Sequence, residues 1–301
     1  RDLFASMNAI QQEVILARDY DYTKGVKHEA NYNTMAQTYG RPGMNKKIVN
    51  SYLMTNGDRF TDQPGYETMQ YYDEMQNRDP RLTQTVVGPG YMRINSTTVS
   101  SPNFGASTTG YQITKWVTDA SGDGYMGSSN DYILFRAAEV YLNYAEAKYE
   151  LTGSLTIAEL DKSINLIRDR VGMPHLTTNP DADPNAVNYG YTVAPLLYEI
   201  RRERRIELVG EGFRFNDIIR WKAGKLIEGV KTIRGMKLTD ELRSQYADPS
   251  SLNNIAVDDD YYIIVYPSIA TTRKWNDKSY LYPLPTDEKD RCHYEQNPGW
   301  N

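Results

Sequence analysis

The sequence predicts a mainly α-helical fold: helix hairpins fastened to long loops, with a few short strands. Three observations predict it. Residues 132–149 form one long apolar run of helical composition, and Thr156-Ile-Ala-Glu159 has the form of a capping box opening a second helix behind it. Residues 195–229 carry two further helical segments. Residues 19–130, by contrast, are rich in Gly, Asn, Thr, Ser and Tyr and show little sustained helical period outside Ile48–Met54.

In chain order, residues 1–18 read as the inside of an amphipathic helix, with no start signal, initiator Met or apolar leader ahead of them. Between 19 and 130 the turn signals are dense, at Arg41-Pro-Gly43, Asn56-Gly57, Pro64-Gly65, Pro89-Gly90 and Gly122-Asp-Gly124. Alternating pieces such as Tyr111–Trp116 predict short strands. Loops this long are more often functional than accidental. The run from Tyr132 to Tyr149 is apolar on most faces and should be buried, with Gly153 as its stop. The helix after the capping box should run to about Arg170, closed by Gly172 and Pro174. Together, 131–172 fit one tetratricopeptide-type hairpin, without a second copy at a fixed period.

Pro195 suits a first helical turn, and Leu196, Leu197 and Ile200 begin an apolar stripe. Continuing that stripe places Glu203, Arg204 and Glu207 on the packed side. Residues 199–214 hold Arg201, Arg202, Arg204, Arg205 and Arg214 against Glu199, Glu203, Glu207 and Glu211. So even a balance predicts a partly buried network of Arg–Glu pairs, not a basic stripe for nucleic acid. Gly210 and Gly212 break the helix, and Phe213–Trp221 begins the next, with Phe213, Phe215 and Trp221 expected in the core. The last seventy residues return to irregular structure, with a strand at 261–266. Their core is expected to rest on Tyr262, Trp275, Tyr280, Tyr282 and Trp300.

Composition narrows the function. The chain has 301 residues, 40% hydrophobic and 24% charged, with a net charge of −5. That acidity speaks against nucleic acid as the main partner. Mean hydropathy is −0.66, and no apolar run approaches the roughly 18 residues of a membrane-spanning helix. The single cysteine, Cys292, provides neither a disulfide framework nor a thiolate metal site. The unusual feature is 25 Tyr against 6 Phe, which suggests aromatic surface that must also stay wet.

Five ordered motifs carry a resemblance. They are Asn77-Arg-Asp-Pro-Arg-Leu82, the Arg136-Ala-Ala-Glu-Val-Tyr-Leu-Asn-Tyr-Ala-Glu-Ala147 core, Ile164-Asn-Leu-Ile-Arg168, Arg201–Trp221, and Tyr280-Leu-Tyr-Pro-Leu-Pro285 with Gln296–Trp300. In this order the sequence resembles the SusD/RagB family, the surface glycan-binding lipoproteins of Bacteroidetes nutrient-uptake systems. The resemblance implies one SusD-like module over 1–301, the C-terminal part of a longer chain with more tetratricopeptide helices and a lipidated cysteine ahead of it. It also implies a cell-surface position at the outer membrane, anchored by a lipid outside this chain, and delivery of ligand to a TonB-dependent SusC-like transporter.

Site residues must come from the chain itself, because binding loops vary within the family. A sugar ring lays its C–H face on an aromatic ring while polar side chains hold its hydroxyls. Eleven tyrosines precede residue 131. The best placed are Tyr39 beside Arg41, Tyr66 after Pro64-Gly65, Tyr91 with Arg93 and Asn95, and Tyr125 after Gly122-Asp-Gly124; Tyr111 and Trp116 read as scaffold. A weaker calcium candidate is Asp119, Ser121 and Asp123 with Asn130 at the twelfth position, where an EF-hand loop wants Glu; an ordinary Asp/Gly turn is the preferred reading. The three histidines are scattered, and no nucleophile elbow, phosphate loop or His-Glu-x-x-His motif occurs. The expectation is therefore non-enzymatic oligosaccharide capture without a cofactor. A peptide-binding member of the same family, or a scaffold whose loops bind proteins, are the alternatives.

Overall fold

The computed structural model describes residues 1–300, and it is mainly helical with short two-stranded ribbons. The hairpin forms as α1 (Ala137–Thr152), α2 (Ile157–Asp161) and α3 (Ile164–Arg170). Gly153 ends α1 with φ 71°, a conformation that costs a residue with a Cβ. The capping box is present at Thr156 and Glu159. The expected single helix from 157 to 170 is instead broken: Ser163 leaves helical geometry, and its hydroxyl donates to the Glu159 carbonyl.

Two expectations at the start of the hairpin are corrected. Tyr132–Arg136 is a strand, not the first turns of the helix, and it pairs antiparallel with Val14–Arg18. The first eighteen residues are accordingly not one helix; only Asp2–Ala5 is helical. Both segments are rich in β-branched and aromatic residues, and each supplies the other's backbone partners. Register shifts between Val14 and Ala17 leave Leu134 and Phe135 exposed side by side. The strand expected over 111–116 shrinks to Tyr111–Gln112, paired with Gly43–Met44. The strand expected over 261–266 forms at Tyr262–Ile264, paired with Arg234–Lys237.

The second helical region is α4 (Pro195–Glu207) followed by α5 (Arg214–Arg220). Pro195 opens the first turn, and Gly210 and Gly212 stop α4 with φ 74° and 88°. Helix α4 joins the two main cores. Ile200 packs with Leu142, Ala145, Leu160, Ile164 and Ile167 of the hairpin. One and a half turns on, Ile206 packs with Tyr52, Leu82, Tyr111 and Met236 of the loop-rich part. Trp221 is buried as expected, in a smaller core with Ile218, Tyr189 and Leu226, whereas Phe215 is exposed. Near the C-terminus Tyr262 is buried but Tyr282 is exposed, so it anchors nothing.

Candidate functional site

The loop-rich part is held to the helices by charge. Glu203 and Glu207 of α4 are almost fully buried. Arg81 donates from one nitrogen to both, at 2.6 and 2.9 Å. Arg168 reaches Glu203 at 2.9 Å, and Arg136 and Arg170 each reach Glu207 at 2.7 Å. Burial alone would raise the Glu207 carboxyl; Arg136, Arg170 and Arg81 outweigh it and hold the group well below the usual carboxylate range. Glu203 is lowered in the same way, against burial, by Arg81 and Arg168. Paired and hydrogen-bonded like this, the charges stabilise one arrangement of the elements that carry them. A buried Arg–Glu network is therefore present, but Glu203 and Glu207 take their arginines from outside 199–214, and these carboxylates are committed to structure.

Against this frame three tyrosines come together on an open face. Tyr39 and Tyr125, 46% and 72% exposed, stand on either side of Tyr32. The Tyr32 and Tyr39 rings are 5.1 Å apart and tilted by 32°; Tyr125 meets Tyr32 edge-on at 5.9 Å. The short helix carrying Tyr32, Ala30–Met35, is pinned through its neighbour Asn31. That fully buried side chain donates to the Thr118 hydroxyl at 2.9 Å and the Asp119 carbonyl at 3.0 Å, and accepts from the Thr118 amide at 2.9 Å. Gly122 lies so close that a Cβ there would sit 2.6 Å from the Asn31 amide nitrogen.

Arg41, Arg93 and Asn95 hold these loops in place. Arg41 donates to the carbonyls of Gly105 and Phe104, at 2.6 and 3.1 Å, fixing the turn after Tyr39. Arg93 donates to the Thr118 and Asp119 carbonyls and clamps Asp123 through both terminal nitrogens. Asn95 donates to Asp119 at 2.8 Å. Tyr91 is half-buried beneath the Arg1 guanidinium, 5.3 Å from its ring. Tyr66 lies elsewhere, edge-on to Phe60 and lining a cavity of about 320 Å³ with Asn50, Asn185 and Tyr198. Of the residues expected at a sugar site, then, Tyr39 and Tyr125 share a surface, Arg41, Arg93 and Asn95 tie its loops, and Tyr66 and Tyr91 sit apart. Tyr32 completes the cluster. It was one of the eleven early tyrosines, but no spacing rule links it to Tyr125.

The residues of the calcium candidate are bonded within the protein. Asp119 accepts from the amide and hydroxyl of Ser121 and from Asn95, the geometry of a capped turn. Asp123 belongs to Arg93, and buried Asn130 donates to the Phe4 carbonyl. The Asp119 and Asp123 carboxylates are turned to these partners, whereas the buried Asn130 Oδ1 has none; no cluster of metal-ligating side chains occurs among the described residues.

A model of the SusD family matches residues 4–300. The chain belongs to the SusD family. Solved structures of family relatives share its fold. A SusD-like carbohydrate-binding protein of Bacteroides fragilis superposes with a TM-score of 0.67 at 24% identity, over 92% of this chain and 53% of its own. A second SusD-like protein of the same organism gives 0.62 at 23% identity, over 96% and 54%. The chain thus spans about half the length of each. No curated protein matches the sequence. Arg201–Trp221, which carried the resemblance, is the segment that builds α4, α5 and the buried charge network of this SusD-family chain.

Proposed function

We propose that this SusD-family chain binds an oligosaccharide on the open face formed by Tyr32, Tyr39 and Tyr125, within the loop-rich region 19–130. The observation carrying the reading is that aromatic trio, with Tyr39 and Tyr125 exposed and Tyr32 half-buried between them, on loops fixed by buried hydrogen bonds. Two tilted rings and a third at right angles suit C–H stacking against successive faces of a bent glycan. Rigid support lowers the ordering cost of binding. Binding per ring is weak, so several contacts must act together.

The reading is of capture without turnover. The buried carboxylates of the charge network, Glu203, Glu207 and Asp217, face guanidinium groups, an arrangement that supports structure over acid–base work. Membership of the family supports a place on the outer-membrane surface, attachment by a lipid, and hand-over to a TonB-dependent SusC-like transporter. No helix among the described residues is long and apolar enough to cross a membrane.

The test is to screen the intact protein on an oligosaccharide array and on a peptide library in parallel. Glycan signal without peptide signal, with no cleavage of the bound sugar, supports the reading. Peptide signal alone, or signal on neither, overturns it.

A further inference from the structure

Helices α4 and α5 contain two arginines that the charge network leaves out. Arg201, Arg202, Arg204 and Arg220 each meet a carboxylate. Arg205 and Arg214 form no ion pair among the described residues, and each has a nitrogen sealed from solvent without a partner: Nε of Arg205 and Nη1 of Arg214. The one hydrogen bond of the Arg205 side chain goes to a neutral group, the Ser51 hydroxyl, at 3.1 Å. Both arginines line the same cavity, of about 230 Å³, walled by Ile48, Leu208, Val209, Phe213 and the loop at Gly210–Gly212.

The other charged groups there do not neutralise them. Asp217 lines the cavity, but its oxygens are held by Arg204 and Arg220 at 2.9–3.0 Å. Arg204 also lines the cavity, paired with Asp217, and Lys47, outside the lining, is a further cation near Arg205; burial, then the charge of Arg205, lowers the Lys47 pKa. Tyr189 and Tyr198 lie close by, but burial raises both phenols, so they stay neutral at pH 7. Burial, then Arg214, also lowers the pKa of Arg205. Two adjacent guanidiniums with no counter-charge are costly unless an anion completes them, and a guanidinium fork fits an oxyanion through paired hydrogen bonds.

We propose that the cavity between Arg205 and Arg214 is a binding site for an oxyanion, a carboxylate or sulfate group whose remaining body packs on the apolar walls. This site stands on other residues than the tyrosine face and does not depend on the glycan reading. The test follows thermal unfolding of the intact chain while inorganic sulfate, sodium glucuronate or sodium chloride is added at matched ionic strength. A saturable rise in Tm with sulfate or glucuronate, but not chloride, is expected, because a ligand of the folded state stabilises it by mass action. The stronger of the two identifies a sulfate or a carboxylate as the preferred group. Arg205→Gln and Arg214→Gln should each weaken that response by about tenfold, the effect of losing one charge-assisted hydrogen bond. Equal responses to all three salts, or responses unchanged in both variants, overturn the proposal. Should the variants fail to fold, crystals of the native chain soaked in selenate decide it. An anomalous selenium peak between the two guanidiniums supports the site, and its absence there overturns it.

Discussion

Arg81 and Tyr125 both come from the loop-rich part of the chain, and the fold uses them in opposite ways. Arg81 is buried against Glu203 and Glu207 of α4 and adjacent Asp79; nothing of it is left for a ligand. Tyr125 leans on Tyr32 by one edge and gives most of its surface to solvent. The charge network thus fixes where the loops leave the helical part, and the tyrosine face is what those fixed loops present. A mutation in the first region should be read in stability. One in the second should be read in binding.

Four perturbations separate support from platform, here in order of decreasing effect on stability. Glu207→Ala removes the carboxylate shared by Arg81, Arg136 and Arg170, leaving Arg81 with Asp79 and Glu203, Arg136 with Glu13 and Glu211, and Arg170 with Glu13 alone. A loss of about 3–5 kcal/mol is expected, measured by urea unfolding. Acid should weaken the same region. Glu203 and Glu207 have pKa values lowered from 4.5, so their contribution is complete above that pH and is lost as pH falls through the lower folded values. The urea midpoint should therefore fall progressively below pH 4.5, and less steeply in Glu207→Gln.

Arg93→Ala leaves Asp123 and the Thr118 and Asp119 carbonyls without their charged donor. About 1–3 kcal/mol is expected. Amide exchange should quicken at 118–125, and oligosaccharide binding should weaken although every tyrosine remains. Tyr125→Ala should change stability by no more than about 0.5 kcal/mol, as for a surface substitution, while still weakening binding. If it destabilised the protein as much as Glu207→Ala, the division between support and platform would be wrong.

How much of this was legible in sequence follows from the range of the interactions. The capping box at Thr156, the stops at Gly153, Gly210 and Gly212, and the start at Pro195 are local devices, and each acts where it is written. That the carboxylates of 199–214 pair with arginines was legible from the charge balance of that segment, but the partners of Glu203 and Glu207 were not, since Arg81, Arg136, Arg168 and Arg170 lie elsewhere in the chain. The strand at Tyr132–Arg136 was not, since its partner is Val14–Arg18 and the run by itself has helical composition. The break at Ser163 has no Gly or Pro to announce it. At the site, Tyr39 and Tyr125 were picked from their turn residues. Tyr32 sits on a short helix and joins them only through tertiary contacts made by Asn31. Arg41 and Asn95 were expected to select sugar hydroxyls, and they bond to protein instead. Composition places a polar group near a ring but does not say which way it will turn.

The central claim is that the tyrosine trio binds sugar while the buried network only supports it. It is tested most directly by titrating one array-positive oligosaccharide into three forms of the protein by calorimetry: native, Tyr39→Ala/Tyr125→Ala, and Tyr66→Ala. Thermal unfolding is recorded on the same samples. The account predicts that the double variant loses binding with its Tm nearly unchanged, while Tyr66→Ala binds as the native protein does. Full affinity in the double variant, or an equal loss in Tyr66→Ala, would contradict it.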